Sequence, residues 1–364
     1  MAVPIDSEPL RATPSRSAIA GFRADAAGRD DIVRATRADQ DVITVLVAVV
    51  AVVVMVWIAL TTDLLDSIAG TPLAPVPRIL ILAAGGVVVI GAVIAWLAVA
   101  RRANWRRWTR LDAFARANGL MFSPSGGSPS YPGAVFGVGD SREVLEHLTS
   151  AEPPLVDYGN TRYAIGSGKN RRTKTWGFLA LQLHRALPHM VLDSTANNGF
   201  LGTTGLPTGF RRDQVLELEG DFNRHFTLYC PREYERDALY VFTPDLMALL
   251  IDHAAPFDVE IVDRWLFVYS PTRFDLLDPG VHERLRRIVD TVGAKTLSRT
   301  DRYVDERVEQ PGGRSIGDVA PDVVAPSGRR LRRRVPVVAV VVGVVLAALW
   351  VGWQLLDLAA TLGG

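Results

Sequence analysis

The sequence predicts a membrane-anchored α+β protein: three transmembrane helices plus a cytoplasmic antiparallel-sheet domain with a few helices. Three observations lead there. The chain contains three long apolar runs without a charge. Two arginine clusters lie against such runs, Arg101, Arg102, Arg106, Arg107 and Arg110 after one, and Arg329, Arg330, Arg332, Arg333 and Arg334 before another. Between the clusters the apolar spacing changes from helical to alternating, which is the strand period.

Residues 1–41 read as a flexible cytoplasmic tail of mixed charge with Pro4, Pro9 and Pro14, and a short helix at 28–40. Residues 42–62 carry no charge between Asp41 and Asp63. The same holds for 79–100, between Arg78 and Arg101, and for 335–356, between Arg334 and Asp357. A helix rises about 1.5 Å per residue, so roughly 20 apolar residues cross the hydrocarbon core. Each run is long enough. The loop 63–78 has Asp63 and Asp66 but no basic residue before Arg78, and the tail 357–364 has Asp357 and no basic residue. Segments rich in Lys and Arg stay in the cytoplasm. Both acidic segments therefore belong outside. The expected protein is multi-pass in the cell membrane, with its N-terminus inside and its C-terminus outside.

The middle of the chain, 101–298, is the expected cytoplasmic domain. Trp105, Trp108, Leu111, Phe114 and Ala115 share one side of a helix over 104–118, closed by Asn118-Gly119. The Ser-, Pro- and Gly-rich stretch 123–133 reads as loop. Strands are expected at 161–165 and 175–183 around the basic turn Lys169 to Lys174, then at 190–192, 215–219 and 226–230. Thr243-Pro244 starts a helix that turns Leu246, Leu249 and Leu250 inward. Residues 258–262 and 265–269 read as a hairpin around Asp263-Arg264. A last helix covers 281–292. Residues 299–334 read as a linker that ends in the second basic cluster. Trp176, Phe178, Leu216, Leu218, Phe226, Leu249 and Phe267 are the expected core.

Composition narrows the function classes. Forty basic residues against 39 acidic ones give a net charge of +1, so no global basic field exists to hold nucleic acid. Cys230 is the only cysteine, which excludes an intramolecular disulfide and a cysteine-based zinc site. No cofactor and no metal ion is expected. Gly166-Ser167-Gly168-Lys169 has the flavour of a phosphate loop, but Tyr163 and Asn170 stand where the Walker pattern needs Gly and Ser or Thr. A hairpin tip is the better reading. Its Lys169, Arg171, Arg172 and Lys174, if not merely a solvated turn, could touch anionic lipid. The glycine-rich stretch Gly199 to Gly209 reads as an exposed loop.

The stretch Val215 to Tyr269 resembles an uncharacterised bacterial family of membrane-anchored proteins with a cytoplasmic domain of unknown function. The resemblance rests on Phe222, Phe226 and Tyr229, then Thr243-Pro244, then Trp265, Phe267 and Tyr269. These positions are apolar, aromatic or turn-forming. The resemblance therefore implies a fold and assigns no catalytic residue.

The expected function is a non-catalytic, membrane-tethered interaction or sensing domain. The bilayer is its expected partner, alongside an unspecified protein and no nucleic acid. Arg101, Arg102, Arg106, Arg107, Arg329, Arg330, Arg332, Arg333 and Arg334 are its candidate contacts to anionic lipid. The alternative is a membrane-surface enzyme with a pocket near residues 184–209, built on His184, Arg185, His189 and Asp193.

Overall fold

The computed structural model describes residues 5–36, 50, 75–128, 130–198, 204–218, 220–308 and 322–333. Two short helices, α1 (Glu8–Arg11) and α2 (Arg16–Asp25), and helical residues 30–36 (α3) precede one long helix, α4 (Pro75–Ala117). The fold is then carried by seven strands: β1 (Leu120–Gly127), β2 (Asp140–Ser150), β3 (Val156–Ile165), β4 (Arg172–Ser194), β5 (Val215–Leu216), β6 (Phe226–Tyr229) and β7 (Asp258–Ser270). All pairings are antiparallel. The order is β1-β2-β3-β4-β6-β5, with β7 on the other edge of β4.

β4 organises the sheet. Its first half pairs with β3 and its last residues with β6, while β7 runs along its opposite edge throughout. The register shifts between Gln182 and Met190. Pro188 stands inside this shift, at a place where neither β3 nor β6 asks for its missing N–H.

The two sheet faces bury different material. The first carries Leu179, Leu181, Leu192, Ile261, Leu266 and Val268 against α4 and the helices that follow β6. The short helix α5 (Phe222–His225) precedes β6, and those after it include α6 (Glu235–Val241), α7 (Pro244–Leu249) and α8 (Pro279–Ile288). The second face carries Trp176, Phe178, Val191, Phe267 and Tyr269 against Val135, Phe136, Leu206, Phe210 and Leu331. Among the described residues its cover is mostly irregular, with one short helical turn at Pro326–Arg329. On it Trp265, Phe267 and Tyr269 stack in a row, with ring centroids 6.0 and 5.7 Å apart.

The antiparallel sheet agrees with the sequence, but three transmembrane helices do not. Among the described residues, one helix is long and apolar enough to cross a membrane: Ala84–Ala117, whose most apolar 18-residue window has mean hydropathy 2.0 and is 6% buried. The expected spans 42–62, apart from Val50, and 335–356 lie outside the described residues.

Four smaller expectations change. The tail is not free along its length: Leu10, Phe22, Ala26 and Ile32 are buried against α4 and the sheet. A charged residue adjoins each of them, Arg11, Arg23, Asp25 and Asp31 in turn, so the composition reads as a solvated tail. β1 forms inside the expected loop 123–133, through Pro124 at the free edge of the sheet, where its missing donor costs little. The expected hairpin at 258–269 is one continuous strand; Asp263, with φ at +53°, is a local irregularity facing the register shift of β4. Of the expected linker, residues 322–333 form a strap on the second face. Leu331 and Val324 are buried there, Phe210 bridges to Arg333, and the Gln214 amide hydrogen-bonds both backbone groups of Arg332 at 2.8 Å.

Candidate functional site: an apolar cavity at the foot of the long helix

α4 ends where Asn118 and Gly119, at φ +66°, turn the chain into β1. Asn118 closes the helix by donating to the Phe114 carbonyl and by exchanging hydrogen bonds with the Asp6 backbone. The last turn then faces β3, β4 and α8 across a cavity of 650 Å³. Its walls are Phe114, Leu120, Val156, Leu179, Leu285 and Val289. Ser150, Glu152, Arg286 and Asp290 stand at its rim. The size and apolar lining fit a pocket for a drug-sized ligand.

Two polar side chains reach the floor and satisfy each other. His282 donates from Nε2 to the Leu276 carbonyl at 2.8 Å, which leaves Nδ1 to accept the Tyr158 hydroxyl at 3.0 Å. Both residues are buried, and the Phe114 ring lies 4.2 Å from the imidazole. Burial lowers the His282 pKa and raises that of the Tyr158 phenol, so both stay neutral near pH 7. At the rim Arg286 is held by Asp290 at 2.9 Å. The cavity thus offers apolar surface and filled hydrogen bonds. Neither floor group is a free nucleophile or a base within reach of a proton to abstract.

The residues of the enzyme alternative do not converge. His184 is exposed and meets Asp301 at 3.0 Å. Arg185 donates to the Tyr303 carbonyl. His189 is buried on the second face, where Nε2 meets Glu260 at 2.7 Å and Nδ1 accepts the Leu331 N–H at 3.0 Å. Asp193 is buried beside Asp258. Residues 199–203 of the glycine-rich stretch lie outside the described residues. Among the described residues no group of three or more His, Cys, Asp or Glu could hold a metal ion.

The candidate lipid contacts divide. Arg101, Arg102 and Arg106 are exposed on α4. Arg107 faces the sheet instead and joins Glu146 at 2.7 Å. Arg330 is held by Asp263 at 3.0 Å, and Arg329 donates to the Val324 carbonyl. Arg332 and Arg333 are exposed at the end of the strap, and Arg334 lies outside the described residues. Sequence reasoning missed the cavity. Its wall residues come from segments far apart in the chain and each reads as ordinary core.

No protein-family model matches the chain, and no curated protein sequence does. One solved structure, the mycobacterial trehalose monomycolate transport factor A, is similar at 13% identity over 50% of this chain and 92% of that one, with a TM-score of 0.31.

Proposed function

We propose that this chain is a membrane-tethered, non-catalytic sensing or interaction domain that takes a mainly apolar small molecule into the cavity beside α4. One observation carries the reading: the last turn of the helix that is long and apolar enough to span a bilayer is also a wall of the cavity. A ligand that fills the cavity touches the tether itself. The satisfied Tyr158–His282 pair supports binding over chemistry, because it lets apolar groups approach without stranding a donor.

Leu285→Trp, which fills the cavity, tests this. Native mass spectrometry of the full chain from native membranes is expected to show an apolar small molecule bound to the wild type. The variant is expected to hold it at least about tenfold less, equivalent to 1.4 kcal/mol. A folded variant with unchanged occupancy, or a wild type with an empty cavity, sinks the reading.

The sheet domain lies on the cytoplasmic side of the α4 span. Arg101, Arg102 and Arg106 flank the apolar segment on the domain side, and basic flanks stay inside. Protease added to intact cells is expected to leave the domain whole and to cut it only after the membrane is opened. Cleavage in intact cells reverses the orientation.

A further inference from the structure

We infer that the tip of the β3–β4 hairpin is a second membrane contact, docking on an anionic lipid surface beside the point where α4 enters the bilayer. The inference rests on the tether reading above and adds to it a surface, a partner and a geometry.

Three paths through the structure point to the same end of the sheet. β1 begins opposite Ser150 at the foot of α4, and Arg107, farther back along the helix, meets Glu146. Following α4 toward its apolar part therefore means following β2 from Ser150 toward Asp140. Residues 29–36 run the same way: Arg29 donates to the Phe122 carbonyl, Arg34 reaches that of Ser125, and Thr36 lines a surface hollow with Arg101. Finally, Asp140 pairs with Ala164 and Ile165 with Arg172, so the turn at 166–171 lies beyond the Asp140 end.

The reach is sufficient. From Arg107 to Arg101 the helix rises about 9 Å. From Glu146 to Asp140 a strand covers roughly 20 Å, less what the irregularities in β2 remove. The tip therefore stands at least level with Arg101, where the uncharged part of the helix begins.

The chemistry at the tip fits an anionic surface. Residues 165–174 are all exposed and contain Lys169, Arg171, Arg172 and Lys174 with no acid. Arg171 is paired with Asp140, whereas Lys169, Arg172 and Lys174 have no ion-pair partner among the described residues. Gly166 and Gly168, with φ at +82° and +53°, supply the left-handed backbone the turn needs. Ile165 adds an exposed apolar side chain. At the opposite end of the same strands the β2–β3 turn carries Glu152 instead. The domain is polarised along its strands, with the basic end toward the bilayer.

The test uses the full chain in vesicles, with a fluorophore on Ser167→Cys and a quencher on the lipid. Cys230 does not compete for the label, because it is buried and its thiol is pushed up to about 12. Quenching is expected in phosphatidylcholine containing phosphatidylglycerol and not in phosphatidylcholine alone. Each basic residue removed is expected to weaken docking about fivefold, the equivalent of ~1 kcal/mol. The triple variant K169Q/R172Q/K174Q should therefore lose docking on the order of a hundredfold. A second label at Ile90→Cys, within the apolar part of α4, reports the tether. If Ile90→Cys is quenched and Ser167→Cys is equally quenched, or equally bright, in both vesicles, the tip is not a lipid contact. Loss of quenching on adding RNA, with lipid unchanged, would assign the tip to a nucleic acid and overturn the proposal. If Ile90→Cys itself is unquenched, the tether and the tip fall together.

Discussion

Replacing Glu260 with Ala is expected to remove about 3–5 kcal/mol of stability, a large share of the 5–15 kcal/mol that holds a typical domain. Glu260 is 1% exposed and accepts three hydrogen bonds, from His189 Nε2, the Tyr269 hydroxyl and the Ala134 N–H, each at 2.7 Å. All three groups are buried in the second core. Removing the acceptor strands each of them at about 1–3 kcal/mol before any relaxation. His189 also fixes the strap, since its Nδ1 accepts the Leu331 N–H. Two losses should appear together in the variant: a lower midpoint in urea, and faster tryptic cleavage after Arg329, Arg330 and Arg332. Glu260→Gln keeps the volume and one acceptor oxygen but turns an NH2 toward donors, so it should fall between wild type and Ala. A Glu260→Ala protein within about 1 kcal/mol of wild type, with its strap still protected, would show that the network holds nothing.

Much of the sheet was readable because alternation reports faithfully on which residues share a face. Trp176, Phe178, Leu218, Phe226 and Phe267 are buried as their spacing requires, while Leu216 and Leu249 are half-buried at the margins. Alternation does not report what covers a face. Asp258 and Glu260 alternate with Val259 and Ile261, a pattern equally suited to a wet face and to a second core with internal partners. The cover comes from 131–138, 204–210 and the strap, none of which has a period. The cavity was hidden for a related reason. Tyr158 and His282 are 124 positions apart, and only the fold brings the hydroxyl to the ring. Trp265, Phe267 and Tyr269 form one aromatic row on the second face.

Stability is expected to fall as pH rises from about 4 to 7, through a buried pair of aspartates. Asp193 and Asp258 lie on adjacent strands one position beyond the pairing of Leu192 with Val259, so they face each other on the second face. Asp193 is 4% exposed and Asp258 is 0% exposed. Burial raises Asp193 from 3.8 to about 6, with Thr204 offsetting a part. Burial raises Asp258 from 3.8 to about 7; the Ser194 N–H and Asn197 oppose this, and the charge of Asp193 adds to it. Among the described residues no hydrogen bond reaches Asp193 Oδ1 or Asp258 Oδ2. Both folded pKa values exceed the unfolded one, so the folded chain binds more protons between them. The stabilising contribution is complete below about pH 4 and is lost as pH passes the folded values. At 1.36 kcal/mol per pKa unit the pair is worth on the order of 4 kcal/mol for Asp258 and less for Asp193, not additively because the two titrate together. Asp258→Asn cannot ionise and keeps the shape. It should be more stable than wild type by about 2 kcal/mol or more at pH 8, and level or slightly worse at pH 5. Urea unfolding across that range decides it. Curves for wild type and variant that run parallel would mean that Asp258 stays ionised in the fold and has a partner the geometry does not provide.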